Sequence, residues 1–140
     1  MECPLCSVSL NDIVWQDGHC RVIFTDDLDY PGYCRVVWGE HIAEMSDLTP
    51  DGQHHILNVT LAVERALRAL MNPDKINLAS LGNKVAHLHW HVIARFADDR
   101  HFPESIWGRE QRPGRPRARP ERAALARRIA DELSHIIAIH

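Results

Sequence analysis

No run of 18 apolar residues occurs in this 140-residue chain, so it offers no segment that would cross a bilayer as a helix. A dominant charge is missing as well. The formal charge of −3 and pI near 6.3 remove any global electrostatic case for nucleic acid or a membrane surface, and leave substrate capture to local features. Met1-Glu2-Cys3-Pro4 lacks the basic and apolar opening of a signal peptide, and the expectation is a soluble, cytoplasmic protein. Cysteine is sparse: the four residues Cys3, Cys6, Cys20 and Cys34 read in that compartment as thiols or metal ligands rather than disulfides. There is no internal repeat. The length is near that of a typical single domain with a real core.

What the chain does have is His87-Leu88-His89-Trp90-His91-Val92-Ile93, three imidazoles in strict alternation with bulky apolar residues. In a β-strand the three histidines would line one face, while Leu88, Trp90 and Val92 press into a core. Residues two apart on a strand face are separated by about 7 Å and residues four apart by about 13 Å. Zinc–imidazole bonds are only about 2.1 Å long, so one ion does not easily hold all three. Three readings compete: imidazoles used for nucleophilic and acid–base work, a two-histidine metal site, and ordinary edge-strand histidines.

Elsewhere, Cys20 to Phe24 and Tyr33 to Trp38 read as an antiparallel strand pair joined by a turn region from Asp26 to Gly32. Thr49-Pro50 supplies an N-cap and a first-turn proline for a helix of about 20 residues, with Ile56, Val59, Val63, Ala66, Leu67 and Leu70 at helical spacing. Asn72-Pro73-Asp74 ends it, and Lys75 to Leu81 and His87 to Phe96 return to strand character. The expected fold is α+β, an antiparallel sheet with a long central helix and a C-terminal helix.

From Gly108 the composition shifts. Residues 109–120 hold five arginines and three prolines, which exclude a regular helix or inner strand. The expectation is a solvated, extended and mobile linker, against the alternative of a phosphate-facing or RNA-facing arm. Beyond it, Leu125, Ile129, Leu133 and Ile136 repeat at helical spacing, so residues 121–140 read as a helix packing on the domain or on a second subunit.

The His-φ-His-φ-His-φ-φ pattern, with φ apolar, resembles the signature of the histidine triad (HIT) superfamily of nucleotidyl hydrolases and transferases. Asn77-Leu78-Ala79-Ser80-Leu81-Gly82-Asn83 precedes it at the spacing HIT proteins use, and Ile106-Trp107-Gly108 follows, so the resemblance covers residues 1–108 as a HIT-like catalytic domain. It implies that His89, the central histidine, is the nucleophile attacking an α-phosphorus. It further implies that His91 hydrogen-bonds phosphate or leaving group, and that His87 has a more structural role. The substrate would be an AMP-type ester, anhydride or phosphoramidate, such as a dinucleoside polyphosphate or adenosine phosphoramidate. Backbone groups of Gly82, Asn83 and Lys84 would approach the phosphate. Asn77 and one of Asp26 and Asp27 would serve as nucleoside contacts, with turn acids as the alternative for the aspartates. Trp107 resembles the tryptophan that lies near the partner subunit's site, or is a core anchor, and the family implies a homodimer.

Two departures stand out. Gly32-Tyr33 occupies the place of a Gly-His pair that supports the nucleophile in many HIT proteins, and Lys84 replaces a Ser or Thr. They motivate the rival reading of a nucleotide-binding regulatory module with little turnover. Cys3-Pro4-Leu5-Cys6 has the spacing of a zinc knuckle, and His41 and His87 stand where some HIT proteins complete the ligand set. A structural zinc on Cys3, Cys6, His41 and His87 is therefore expected, against a reduced end without metal. Cys20 and Cys34 read as buried core thiols. A third reading is a zinc-stabilised RNA-binding protein using the arginine stretch.

Overall fold

The computed structural model describes residues 3–139; Met1 and Glu2, on which the reading of the N-terminus partly rests, and His140 lie outside them. Five strands form one antiparallel sheet: β1 (Ile13–Gln16), β2 (Cys20–Phe24), β3 (Tyr33–Trp38), β4 (Lys75–Ala79) and β5 (His89–Arg95), in the order β1-β2-β3-β5-β4. Two helices, α1 (Pro50–Met71) and α2 (Arg122–Ile139), pack on one side of it. The α+β expectation holds.

Alternation in the strands divides the sheet into two chemically different faces. Cys20, Val22, Phe24, Cys34, Val36, Trp38, Val92 and Ala94 point toward the helices, where α1 contributes Ile56, Val59, Val63, Ala66 and Leu67, and α2 contributes Leu125, Ile129 and Leu133. Leu67 is fully buried there, and Leu67→Ala would cost about 2–5 kcal/mol. The opposite face has no helix. It carries Tyr33, Arg35 and Val37 on β3, with Arg35 facing His91 and Val37 facing His89 in the strand register.

Helix α1 begins where the local chemistry requires: the Thr49 side chain accepts from the Gly52 N–H at 3.2 Å, and Pro50 fills the first helical position. It ends at Asn72, whose φ of 48° is left-handed, immediately before Pro73. Among the described residues no helix is long and apolar enough to cross a membrane.

Three sequence expectations change. Strand β1 was not anticipated, β4 stops at Ala79 rather than Leu81, and β5 begins at His89 rather than His87. The segment 109–120 is extended, as its prolines require, and most of its residues are exposed, but four of its arginines engage the domain beneath it. Arg112 donates to the carbonyls of Asp99 (2.6 Å) and Phe102 (2.8 Å), and Arg117 donates to Asp98 at 2.8 Å while its guanidinium lies 3.7 Å from the Phe96 ring centroid. Arg119 sits 4.4 Å over the Phe24 ring and donates to the Thr25 carbonyl. The arginines fasten the segment as a strap because aromatic faces and unpaired carbonyls lie along its path. It leads α2 back onto α1 and β1.

Candidate functional site

The start of β5 separates the three histidines. His87 lies just before the strand, and its ring meets the N-terminal cysteines rather than the cavity that His89 and His91 share. Its Nε2 donates to the Trp38 carbonyl at 2.6 Å, while its Nδ1 lies 3.5 Å from the Sγ atoms of both Cys3 and Cys6. Cys6 Sγ is also 3.3 Å from His41 Nδ1, and the four donor atoms all lie within 4.8 Å of one another. A tetrahedral zinc site with thiolate and imidazole bonds of about 2.3 and 2.1 Å has sulfur-to-nitrogen edges of about 3.6 Å. The cluster therefore fits a metal ion, and His87 belongs to it, outside β5 and outside the cavity lined by His89 and His91.

His89 and His91 form the second half. Their ring centroids are 4.9 Å apart, and both line a cavity of about 400 Å3 with Pro4, Leu5, Tyr33, Arg35, Leu81, Gly82, Asn83, Lys84, Val85 and Trp107. His89 Nδ1 donates to the backbone carbonyl of His87 at 2.6 Å. That bond fixes the neutral ring with its lone pair on Nε2. His91 Nδ1 pairs with the Tyr33 hydroxyl at 2.7 Å. The phenol is the stronger acid of the two, so it donates to Nδ1 and leaves the His91 proton on Nε2. Burial is the first cause keeping both rings neutral, with neighbouring cations adding to it: His89 is depressed, and His91 is pushed down to about 4 by burial, His89 and Arg35.

The loop supplying the far wall is fixed by Asp99. Burial raises this carboxyl, but the Arg95 hydrogen bonds and the amides of Phe96 and Phe102 prevail and hold it at about 2. The turn that follows carries Trp107, whose ring centroid is 5.1 Å from that of His91 and which is 53% exposed, too open for a core anchor.

The other anticipated residues divide. Gly82, Asn83 and Lys84 line the cavity; Gly82 is required there by its φ of +79° rather than by crowding, since an added Cβ would come no nearer than 3.6 Å to the Val85 carbonyl oxygen. Asp26 and Asp27 line an adjoining cavity of about 430 Å3 that shares Tyr33, Arg35 and Trp107 with the first. Asn77 is not brought to either: its Oδ1 accepts from Arg95 at 2.7 Å, which ties it to the Asp99 network. Cys20 and Cys34 are buried core thiols, each raised to about 12, chiefly by burial. Arg35 was not anticipated. Alternation within 33–38 places it opposite the core face, but only the β3–β5 pairing sets it beside His91.

Fold and site together define an α+β protein that holds a pair of neutral imidazoles under a polar cavity on the helix-free face of its sheet. The HIT domain family model matches residues 7–98. A histidine triad (HIT) protein from Sinorhizobium meliloti is 30% identical, with a TM-score of 0.68 over 87% of this chain and 90% of that one. A histidine triad protein from Bradyrhizobium japonicum is 27% identical, with a TM-score of 0.67 over 94% and 92% of the two chains. A zinc-bound histidine triad family protein from Mycobacterium smegmatis, at 19% identity and a TM-score of 0.57 over 91% and 87%, shares the fold. Comparison with curated proteins finds no significant match. The chain belongs to the HIT family, and that membership supports nucleotide hydrolase or transferase chemistry in general.

Proposed function

We propose that the protein is a nucleotide hydrolase that cleaves at the α-phosphate of an AMP-type ester, anhydride or phosphoramidate through a nucleotidyl-His89 intermediate. The observation that carries this reading is the His89 Nδ1–H bond to the His87 carbonyl, which leaves Nε2 free beside the cavity. In the first step Nε2 forms a bond to the α-phosphorus and the bond from phosphorus to the leaving group breaks. Positive charge developing on the ring is met by the His87 carbonyl dipole. The Nε2–H of His91 donates to a phosphate or leaving-group oxygen. In the second step water attacks the phosphorus and frees His89. The backbone of Gly82 to Lys84 supports the phosphate, Asp26 or Asp27 takes the ribose from the adjoining cavity, and Trp107 walls the site.

Tyr33 in place of an auxiliary histidine favours the second reading, a nucleotide-binding module with little turnover, and one experiment separates them. The protein is mixed with a panel of dinucleoside polyphosphates and adenosine phosphoramidates, and intact mass and product release are followed. A nucleotidyl adduct on His89 with turnover supports the hydrolase; nucleotide binding with neither adduct nor product supports the module. The arginine strap is engaged within its own fold, which counts against an RNA-binding role.

Cys3, Cys6, His41 and His87 would hold a structural zinc, a closed site that fastens the N-terminus and, through His87, the residue whose carbonyl orients His89. Elemental analysis of reduced protein purified without chelator should find close to one zinc per chain. We further propose a cytoplasmic homodimer, supported by family membership and by exposed Leu78 and Leu81 at and beyond the edge strand β4. A sedimentation mass of one chain at micromolar concentration would refute the dimer.

A further inference from the structure

The mechanism above uses one phosphate, and it leaves an arginine over. Arg35 stands directly opposite His91 in the β3–β5 register, where paired Cα atoms are about 5 Å apart. Its side chain lines both cavities, so with Tyr33 and Trp107 it forms their common wall.

Several other arginines have countercharges or acceptors. Arg95 pairs with Asp99, Arg100 with Asp29 and Glu110, Arg117 with Asp98, and Arg112 with two carbonyls. Arg35 has no ion pair: no carboxylate among the described residues forms one with it, and its Nε is buried without a hydrogen-bond partner. What steadies it is the Tyr33 ring, 5.6 Å from the guanidinium carbon. A half-buried cation beside two imidazoles, whose nearest cavity carboxylates, Asp26 and Asp27, form no ion pair with it, is unfavourable for the free protein. Its planar donor fork matches phosphate geometry.

We propose that Arg35 forms a second anion subsite, which takes the phosphate next to the one attacked by His89, so that the site is built for nucleotide anhydrides carrying at least two phosphates rather than for phosphoramidates. The inference rests on the reading of His89 as the residue facing the α-phosphate. Adjacent phosphorus atoms in an anhydride are joined through a single oxygen, and Arg35 faces His91, the next cavity residue along β5 from His89, so the cation stands beside the nucleophile's neighbour rather than opposite the nucleophile. Lys84 lines the same cavity and adds a second cation. Asp26 and Asp27 line the adjoining cavity, so repulsion keeps the polyphosphate on the arginine wall and leaves the aspartates to hydroxyl groups.

The test is calorimetric titration of the wild-type, Arg35→Gln and Arg35→Lys proteins with AMP and with ADP, alongside melting temperatures. Wild-type protein should bind ADP about tenfold more tightly than AMP, one charge-assisted phosphate contact's worth. Arg35→Gln should reduce that gap to less than about threefold by weakening ADP more than AMP, and Arg35→Lys should keep part of it. Because the cation is uncompensated, Arg35→Gln should melt no lower than wild type, whereas a merely structural arginine would lower the melting temperature. Equal AMP and ADP affinity in the wild type, or an equal loss of both in Arg35→Gln, overturns the subsite while leaving nucleotide binding at His89 standing. Failure of wild-type protein to bind either nucleotide overturns both. If Arg35→Gln does not fold, the wild-type gap and Arg35→Lys decide: a gap undiminished by lysine rejects the subsite.

Discussion

The two ends of the His87–His91 run, four residues apart, sit in opposite chemical surroundings. At one end His87 meets two sulfurs and a second imidazole in a cluster whose spacing fits tetrahedral metal coordination. At the other, His89 and His91 face a cavity with a tyrosine, an arginine and a tryptophan around them and remain neutral. The difference arises where regular strand geometry begins: His87 lies outside β5, its ring held by the Trp38 carbonyl and the two sulfurs, whereas His89 and His91 share one face by alternation. The two halves nevertheless share an atom. The carbonyl oxygen of His87 accepts the Nδ1–H of His89, so the cluster that anchors one residue also orients the next.

Replacing His89 should separate the halves most sharply. His89→Gly is expected to cut turnover by several orders of magnitude and abolish the nucleotidyl adduct, while metal content stays at the wild-type level. Turnover near wild type would remove His89 from the mechanism.

Removing a sulfur tests the shared atom from the other side. Cys6→Ser should lose bound zinc, melt at lower temperature and lose about 10–100-fold in kcat, the usual effect of disturbing a group that orients a functional side chain. Zinc loss with unchanged kcat would show that the halves are independent.

Acid should act on the cavity half. His91, surrounded by Tyr33, His89, Arg35 and Trp107, has its folded-state pKa pushed down to about 4, chiefly by burial, from an unfolded value near 6.5. The unfolded chain therefore takes up a proton that the folded protein refuses, and the stability contributed by this residue is lost as pH falls from about 6.5 toward 4. Melting temperatures between pH 7.5 and 4.5 should decline by several degrees, and His91→Gln should flatten the curve. An unchanged slope in that variant would assign the decline to other groups.

Smaller effects sharpen the detail. Tyr33→Phe removes the hydroxyl on His91 Nδ1 and should lower kcat/KM by about fivefold, in line with the loss of a buried hydrogen bond worth about 1 kcal/mol. No change would mean that the ring's orientation is set by packing alone. Arg117→Ala, in the strap, should destabilise by only about 0.5–1 kcal/mol through loss of stacking on Phe96, with KM untouched at low and high salt. A rise in KM confined to low salt would restore the phosphate-arm reading.

The fold was legible wherever a local rule sufficed. Thr49-Pro50 and Asn72-Pro73 bound α1 through caps that need only neighbouring residues, and the alternation in 20–24 and 33–38 marked two strands. Strand β1 escaped because four residues, Ile-Val-Trp-Gln, carry too short an alternation to be distinctive. The anchoring of the strap was not legible, because prolines report that a segment is extended and say nothing about what it lies upon. Asn77 was placed by motif spacing, and its pairing with Arg95 depends on β4 lying beside β5.

By itself the sequence determined the alternating histidines, the CxxC knuckle and the amphipathic helices, because each follows from the geometry of contiguous residues. Tertiary structure decided which histidine joins the cysteines and which pair faces the cavity. It also placed Tyr33 on His91 and left Arg35 without a countercharge. Those relations join residues as much as 84 positions apart, and such distances close only when the sheet order and register bring the strands together.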